Sequence, residues 1–141
     1  MQQFTFSWLP FLVVAAANFF LSWLYYSPGV PWFKAWLIGA GMDPEKKGPT
    51  EAEKKAMPGL MLGALVATLV FSGGLEFFVR ALGPTSFAGG ALVGALLWLA
   101  FVLSHSLNTR FEGRKISVLV INNAYYLVAY AAFGGLFAVW R

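Results

Sequence analysis

The residues best suited to chemistry are polar groups placed inside apolar runs. Asn123, Tyr126 and Tyr130 follow one another at spacings of three and four in "INNAYYLVAY", so on a helix they form one stripe, with Asn122 beside it. Asn18, Ser22 and Tyr25 or Tyr26 form a second stripe in the first apolar run. His105, the single histidine, stands among Ser104, Ser106 and Asn108 at the end of the third run. Amides, hydroxyls and an imidazole can bind a small polar solute or relay a proton. They can equally bond to one another and hold helices in register. Glu76 and Arg80 are a separate pair, four residues apart. They read either as an interfacial ion pair with Arg80 reaching outward, or as a carboxylate that takes part in a proton path.

Catalysis has little support. The sequence contains no HExxH, nucleophile elbow, phosphate loop or paired carboxylates. With one histidine and no cysteine, a conventional zinc site would need several distant carboxylates, and His105 has no second haem ligand or attachment motif. The expectation is a protein that is not an enzyme and holds no metal or cofactor.

These polar groups need elements that can carry them through hydrocarbon. Of the 141 residues, 59% are hydrophobic and 11% charged, against about 25% charged in a soluble domain. A chain this short of charge cannot cover itself with polar surface and is expected to lie in a membrane. The net charge of +4 sits beside the apolar runs, which favours a lipid surface over nucleic acid as partner. A crossing helix needs about 20 apolar residues. Four runs qualify, near residues 5–27, 57–82, 86–107 and 116–140. The fold class expected is all-α, an integral membrane four-helix bundle forming one domain over 1–141. "MQQFTFSW" has no basic residue before the first run, so that run is expected to remain as a span.

Basic residues set the orientation. Eight of the ten, Lys34, Lys46, Lys47, Lys54, Lys55, Arg110, Arg114 and Lys115, fall in the loops after the first and third runs. The positive-inside rule places both loops in the cytoplasm and both termini outside. From the rise of ~1.5 Å per residue, Asn18 and Asn122 then lie about 13 Å and about 9 Å from the cytoplasmic ends of their spans, so the polar stripes share one height. A cavity lined by Asn18, His105 and Asn123 would favour solute binding; a dry interior with these groups paired would favour a structural network.

The first loop has its own order. "PWFKAWLIGAG" puts Trp32, Phe33, Trp36 and Leu37 on one face of a helix near 31–40, too short to span and suited to the interface. "TEAE" reads as a capping box on Thr50 and Glu53, with Pro58 inside the helix that follows. Small residues recur at Gly59, Gly63 and Ala67, at Gly90 and Gly94, and at Ala131 and Gly135. Such rows allow close helix approach, either within the chain or in a homo-oligomer.

Two boxes resemble those of an uncharacterised bacterial family of small four-helix membrane proteins, a domain of unknown function. One is "YYSPGVPWFKAW", with Tyr26, Ser27, Pro28 and Trp36; the other is "FEGRKISVLVINNAYYLV", with Phe111, Glu112, Gly113, Arg114, Asn122 and Tyr125. Tyr25, Tyr126 and the lack of Phe-Gly after the proline depart from the family pattern. The resemblance implies four helices and a bacterial inner membrane, and no known activity. Two functions stay open: binding or passing a small polar solute or proton through the inner-half polar cluster, or serving as an accessory or scaffold subunit of a larger membrane complex.

Overall fold

The computed structural model describes residues 5–46 and 48–140. The elements are α1 (Trp8–Tyr25), α2 (Phe33–Gly39), α3 (Glu51–Leu82), α4 (Phe87–Leu97), a π-helical stretch (Trp98–Leu103), α5 (Ser104–Asn108) and α6 (Ile116–Val139). No strand occurs among the described residues. α1, α3, the continuous run Phe87–Asn108 and α6 are each long and apolar enough to cross a membrane. Continuously apolar sequence takes this form because a helix satisfies its own backbone polar groups.

Local signals explain the boundaries. The capping box forms: Thr50 accepts from the Glu53 backbone N–H at 3.3 Å, and Glu53 accepts from the Thr50 N–H at 2.7 Å. Lys46 donates to Glu53 at 2.6 Å. The Lys46 ammonium, then the Thr50 backbone and hydroxyl, pull the Glu53 carboxyl down to about 2. α3 thus starts at Glu51, six residues before the apolar run, and passes through Pro58 unbroken. It ends at Gly83, whose φ of 67° is the left-handed cap that glycine favours. Two boundaries differ from expectation. α1 starts at Trp8, later than residue 5. The third run contains a π-helical stretch that hydrophobicity alone does not signal.

The helices pack tightly at one end and diverge at the other. Val14 of α1, Leu75 and Val79 of α3, and Tyr125, Ala129, Phe133 and Phe137 of α6 form the buried core. α4 lies against α6 at backbone contact: a Cβ at Gly94 would fall on the Tyr130 carbonyl, and one at Gly90 on the Gly134 carbonyl. The small row on α6 therefore runs through Gly134; Gly135 instead faces the Phe87 ring. On α3, residues 51–67 are exposed throughout, and nothing lies near a Cβ at Gly59 or Gly63. That row joins no other helix of the chain. Large apolar side chains such as Leu9, Phe20, Leu62, Val70, Leu92 and Val128 cover the outside, a surface that suits lipid tails better than water.

α2 folds back under the open end. Its Gly39 is buried against Ser117 and Val118 at the start of α6. The Trp32 indole donates to the Tyr25 carbonyl at 2.9 Å, and the Trp36 indole to Asn122 Oδ1 at 3.1 Å. Both tryptophans are tied to the helix ends by their N–H groups.

Candidate functional site

At the open end, α1, α2 and α6 are joined by a polar and aromatic network. Asn122 Oδ1 accepts from the Tyr26 hydroxyl at 2.9 Å as well as from Trp36. The Tyr25 hydroxyl donates to the Ile121 carbonyl at 3.0 Å. The Tyr125 hydroxyl donates to Asn18 at Oδ1, 2.7 Å, with the Asn18 carbonyl 3.0 Å away. Ring centroids of Tyr25, Tyr26, Trp32, Trp36 and Tyr125 lie 4.7 to 6.1 Å apart in successive contacts. Tyr26, Trp36, Asn122 and Tyr125, drawn from two distant stretches of sequence, therefore meet in one place. Phe111, Glu112, Gly113 and Arg114 lie elsewhere, in an exposed turn. There Phe111 is 92% exposed, Gly113 has a φ of 78°, and Glu112 pairs with Arg114 at 3.5 Å.

The stripe expected to join Asn18, Asn123 and His105 is arranged differently. Asn18 is taken by Tyr125, one position off the Asn123–Tyr126–Tyr130 row. Asn123 is buried, donates to the Leu119 carbonyl at 2.9 Å, and accepts from Ser106 at 3.5 Å. Its bonds go to its own helix and to Ser106, not to Asn18 or His105.

Above this network, the divergence of α3 leaves a cavity of about 580 Å³. Asn18, Ser22, Tyr26, His105, Tyr126 and Tyr130 line it, six of the eight polar positions selected from sequence; Asn122 and Asn123 do not. Thr68, Phe71, Phe101, Ser106 and Tyr125 complete much of the wall. A smaller cleft of about 270 Å³ shares Ser22, Tyr26 and Ala64 with it. No Cα pair within 8 Å joins α3 to the π-helical stretch or to α5, so the cavity is open sideways between them. The π-helical stretch and α5 contribute Phe101, Val102, His105 and Ser106 to the far wall. Such widened turns recur at functional sites.

Several hydroxyls in the wall are already engaged. Ser22 donates to the Phe19 carbonyl, Thr68 to Ala64, Ser106 to Val102, and Tyr26 to Asn122. The Tyr126 and Tyr130 hydroxyls and the His105 ring have no hydrogen-bond partner among the described residues. The cavity thus offers donors to a guest, and no Asp, Glu, Lys or Arg lines it.

Glu76 and Arg80 lie at the packed end of α3, beyond Phe71 of the cavity wall. Glu76 is fully buried, and Oε1 accepts from Arg80 Nε at 2.6 Å and from the Ser7 N–H at 2.8 Å. Arg80, its side chain 11% exposed, also donates to the Trp140 carbonyl at 3.3 Å. The two form the ion pair that their spacing predicts, and Arg80 ties α3 to the end of α6. Ser72 adds a bond to the Phe11 carbonyl at 2.8 Å. This pair clasps the helices that diverge at the other end.

A family model described as "Protein of unknown function (DUF1761)" matches residues 9–138. No curated protein and no solved structure matches the chain.

Proposed function

Starting from a chain that belongs to the DUF1761 family of proteins of unknown function, we propose that it is a membrane protein that binds a small polar ligand in the cavity between α1, α3, α5 and α6. Its four apolar helices cross the bilayer, in this reading the inner membrane of a bacterium. The loops at 26–50 and 109–115 lie in the cytoplasm, and both termini lie outside. The excess of Lys and Arg in those loops supports this orientation. The observation that carries the binding role is the cavity of about 580 Å³ with free donors on Tyr126, Tyr130 and His105. Asn122 and Tyr125, by contrast, are engaged by Tyr26, Trp36 and Asn18. The cavity carries no ionisable chain other than histidine and tyrosine, so binding of a neutral solute is favoured over a proton path.

A second reading is favoured by the bare face of α3. Residues 51–67 are exposed throughout, and Gly59 and Gly63 leave room for a close partner. An accessory role, in a homo-oligomer or beside another membrane protein, would cover that face.

Native mass spectrometry from mild detergent separates the two. The cavity reading expects a retained small molecule that is lost in Ala67→Trp, because Ala67 lines the cavity from the exposed side of α3. A retained protein subunit with no small molecule in either sample would instead support the accessory role and remove the binding role.

A further inference from the structure

Resting on the cavity as a ligand site, we propose that its ligand is an uncharged flat ring bearing carbonyl acceptors on an apolar tail, the chemistry of a quinone. It enters sideways from the bilayer between α3 and the π-helical stretch.

Charge comes first. No Asp, Glu, Lys or Arg lines the cavity, so an ion would lose its hydration without a counter-charge to replace it. The aromatic wall would attract an organic cation through its ring faces, but no carboxylate is present to hold one. Hydrogen bonding comes next. The free groups, two phenols and an imidazole, can each donate to a guest's carbonyl oxygen. Tyr126 and Tyr130 stand one turn apart on α6, so both phenols meet a guest from the same helix face. His105 meets the same space from α5.

Shape agrees. Tyr26, Phe71, Phe101, Tyr126 and Tyr130 bring rings to the wall, and flat guests gain most from such surfaces. Phe71 meets Tyr130 edge-on at 4.9 Å, which fixes the phenol in place. The gap between α3 and the π-helical stretch lies on the side of the molecule, among helices apolar enough to face lipid. A ring can occupy the cavity while its tail stays in the bilayer.

The test is calorimetric titration of the full chain in phosphatidylcholine nanodiscs with decylubiquinone, and with tetraphenylphosphonium as the organic cation. Saturable decylubiquinone binding is expected. Tyr126→Phe and Tyr130→Phe should each weaken it about two- to ten-fold, the loss of one hydrogen bond, and Ala67→Trp should abolish it. Equal decylubiquinone binding by the wild type and Ala67→Trp, no effect of either Tyr→Phe change, or tighter binding of tetraphenylphosphonium would overturn the proposal. If Ala67→Trp strips a retained small molecule while decylubiquinone binds to neither protein, the ligand class is wrong and the cavity remains a binding site.

Discussion

The Tyr125 hydroxyl donates to Asn18 Oδ1 at 2.7 Å across 107 residues of sequence. This bond ties α6 to α1 at the height where α3 leaves them, so it holds one wall of the cavity while the other stands free. Two polar groups that would each be costly in hydrocarbon satisfy one another.

Removing either end should cost stability, and removing both should cost less than the sum. Tyr125→Phe, Asn18→Leu and the double variant can be compared by unfolding in mixed micelles. A coupling of about 0.6 kcal/mol, and up to ~1.7, is expected for a hydrogen bond between membrane helices. Strict additivity would show that the two side chains do not share a bond.

The Glu76–Arg80 clasp should be far more sensitive to one loss than to two. Arg80→Ala leaves the buried carboxylate without its counter-charge and should cost about 3–5 kcal/mol. The apolar pair Glu76→Leu with Arg80→Met should recover most of that loss. An Arg80→Ala protein as stable as the wild type would contradict the buried position of the pair.

Glycines that look alike in sequence should differ sharply. Gly94→Leu drives a side chain into the Tyr130 carbonyl and should break the α4–α6 contact. Gly63→Leu meets open space and should be neutral or raise stability by up to about 1 kcal/mol, since a helix-interior glycine is removed. Equal effects would mean that α3 packs as closely as α4.

Acid should loosen the first turn of α3. The Glu53 carboxyl is held down at about 2, from 4.5, by Lys46 and Thr50. A lowered carboxyl stabilises the fold fully above its ordinary value and loses that contribution as the pH falls through about 2. Amide protection at residues 51–54, taken relative to the intrinsic exchange rate at each pH, should therefore fall between pH 4.5 and 2. Glu53→Gln should exchange faster at neutral pH and lose this dependence.

The apolar runs made the helices legible, because a crossing segment must be both long and continuously apolar. The capping box at Thr50 was legible for a local reason: all its partners lie within three residues. The polar stripes marked six of the fourteen residues that line the cavity, since a polar side chain in an apolar run favours a polar cleft. The partners were not legible. Asn18 meets Tyr125 and not Asn123, because the Gly90 and Gly94 contacts set the rotation of α6, and no pattern within α6 encodes that angle. The π-helical stretch was hidden for a similar reason, as one extra residue per turn leaves the apolar composition unchanged. The Glu76–Arg80 pair was legible from its four-residue spacing, but the Trp140 carbonyl that also receives Arg80 was not, because it lies 60 residues away.

The cavity depends on the gap between α3 and the π-helical stretch, and disulfide trapping in native membranes measures that gap directly. The chain has no cysteine of its own. With Ala67→Cys and Phe101→Cys, oxidation should leave the pair unlinked, because their Cα atoms lie more than 8 Å apart and a disulfide needs about 4.4–6.8 Å. A bis-maleimide linker should join the same pair. Rapid and complete disulfide formation by Ala67→Cys with Phe101→Cys would show that α3 lies against the π-helical stretch, with no open cavity between them.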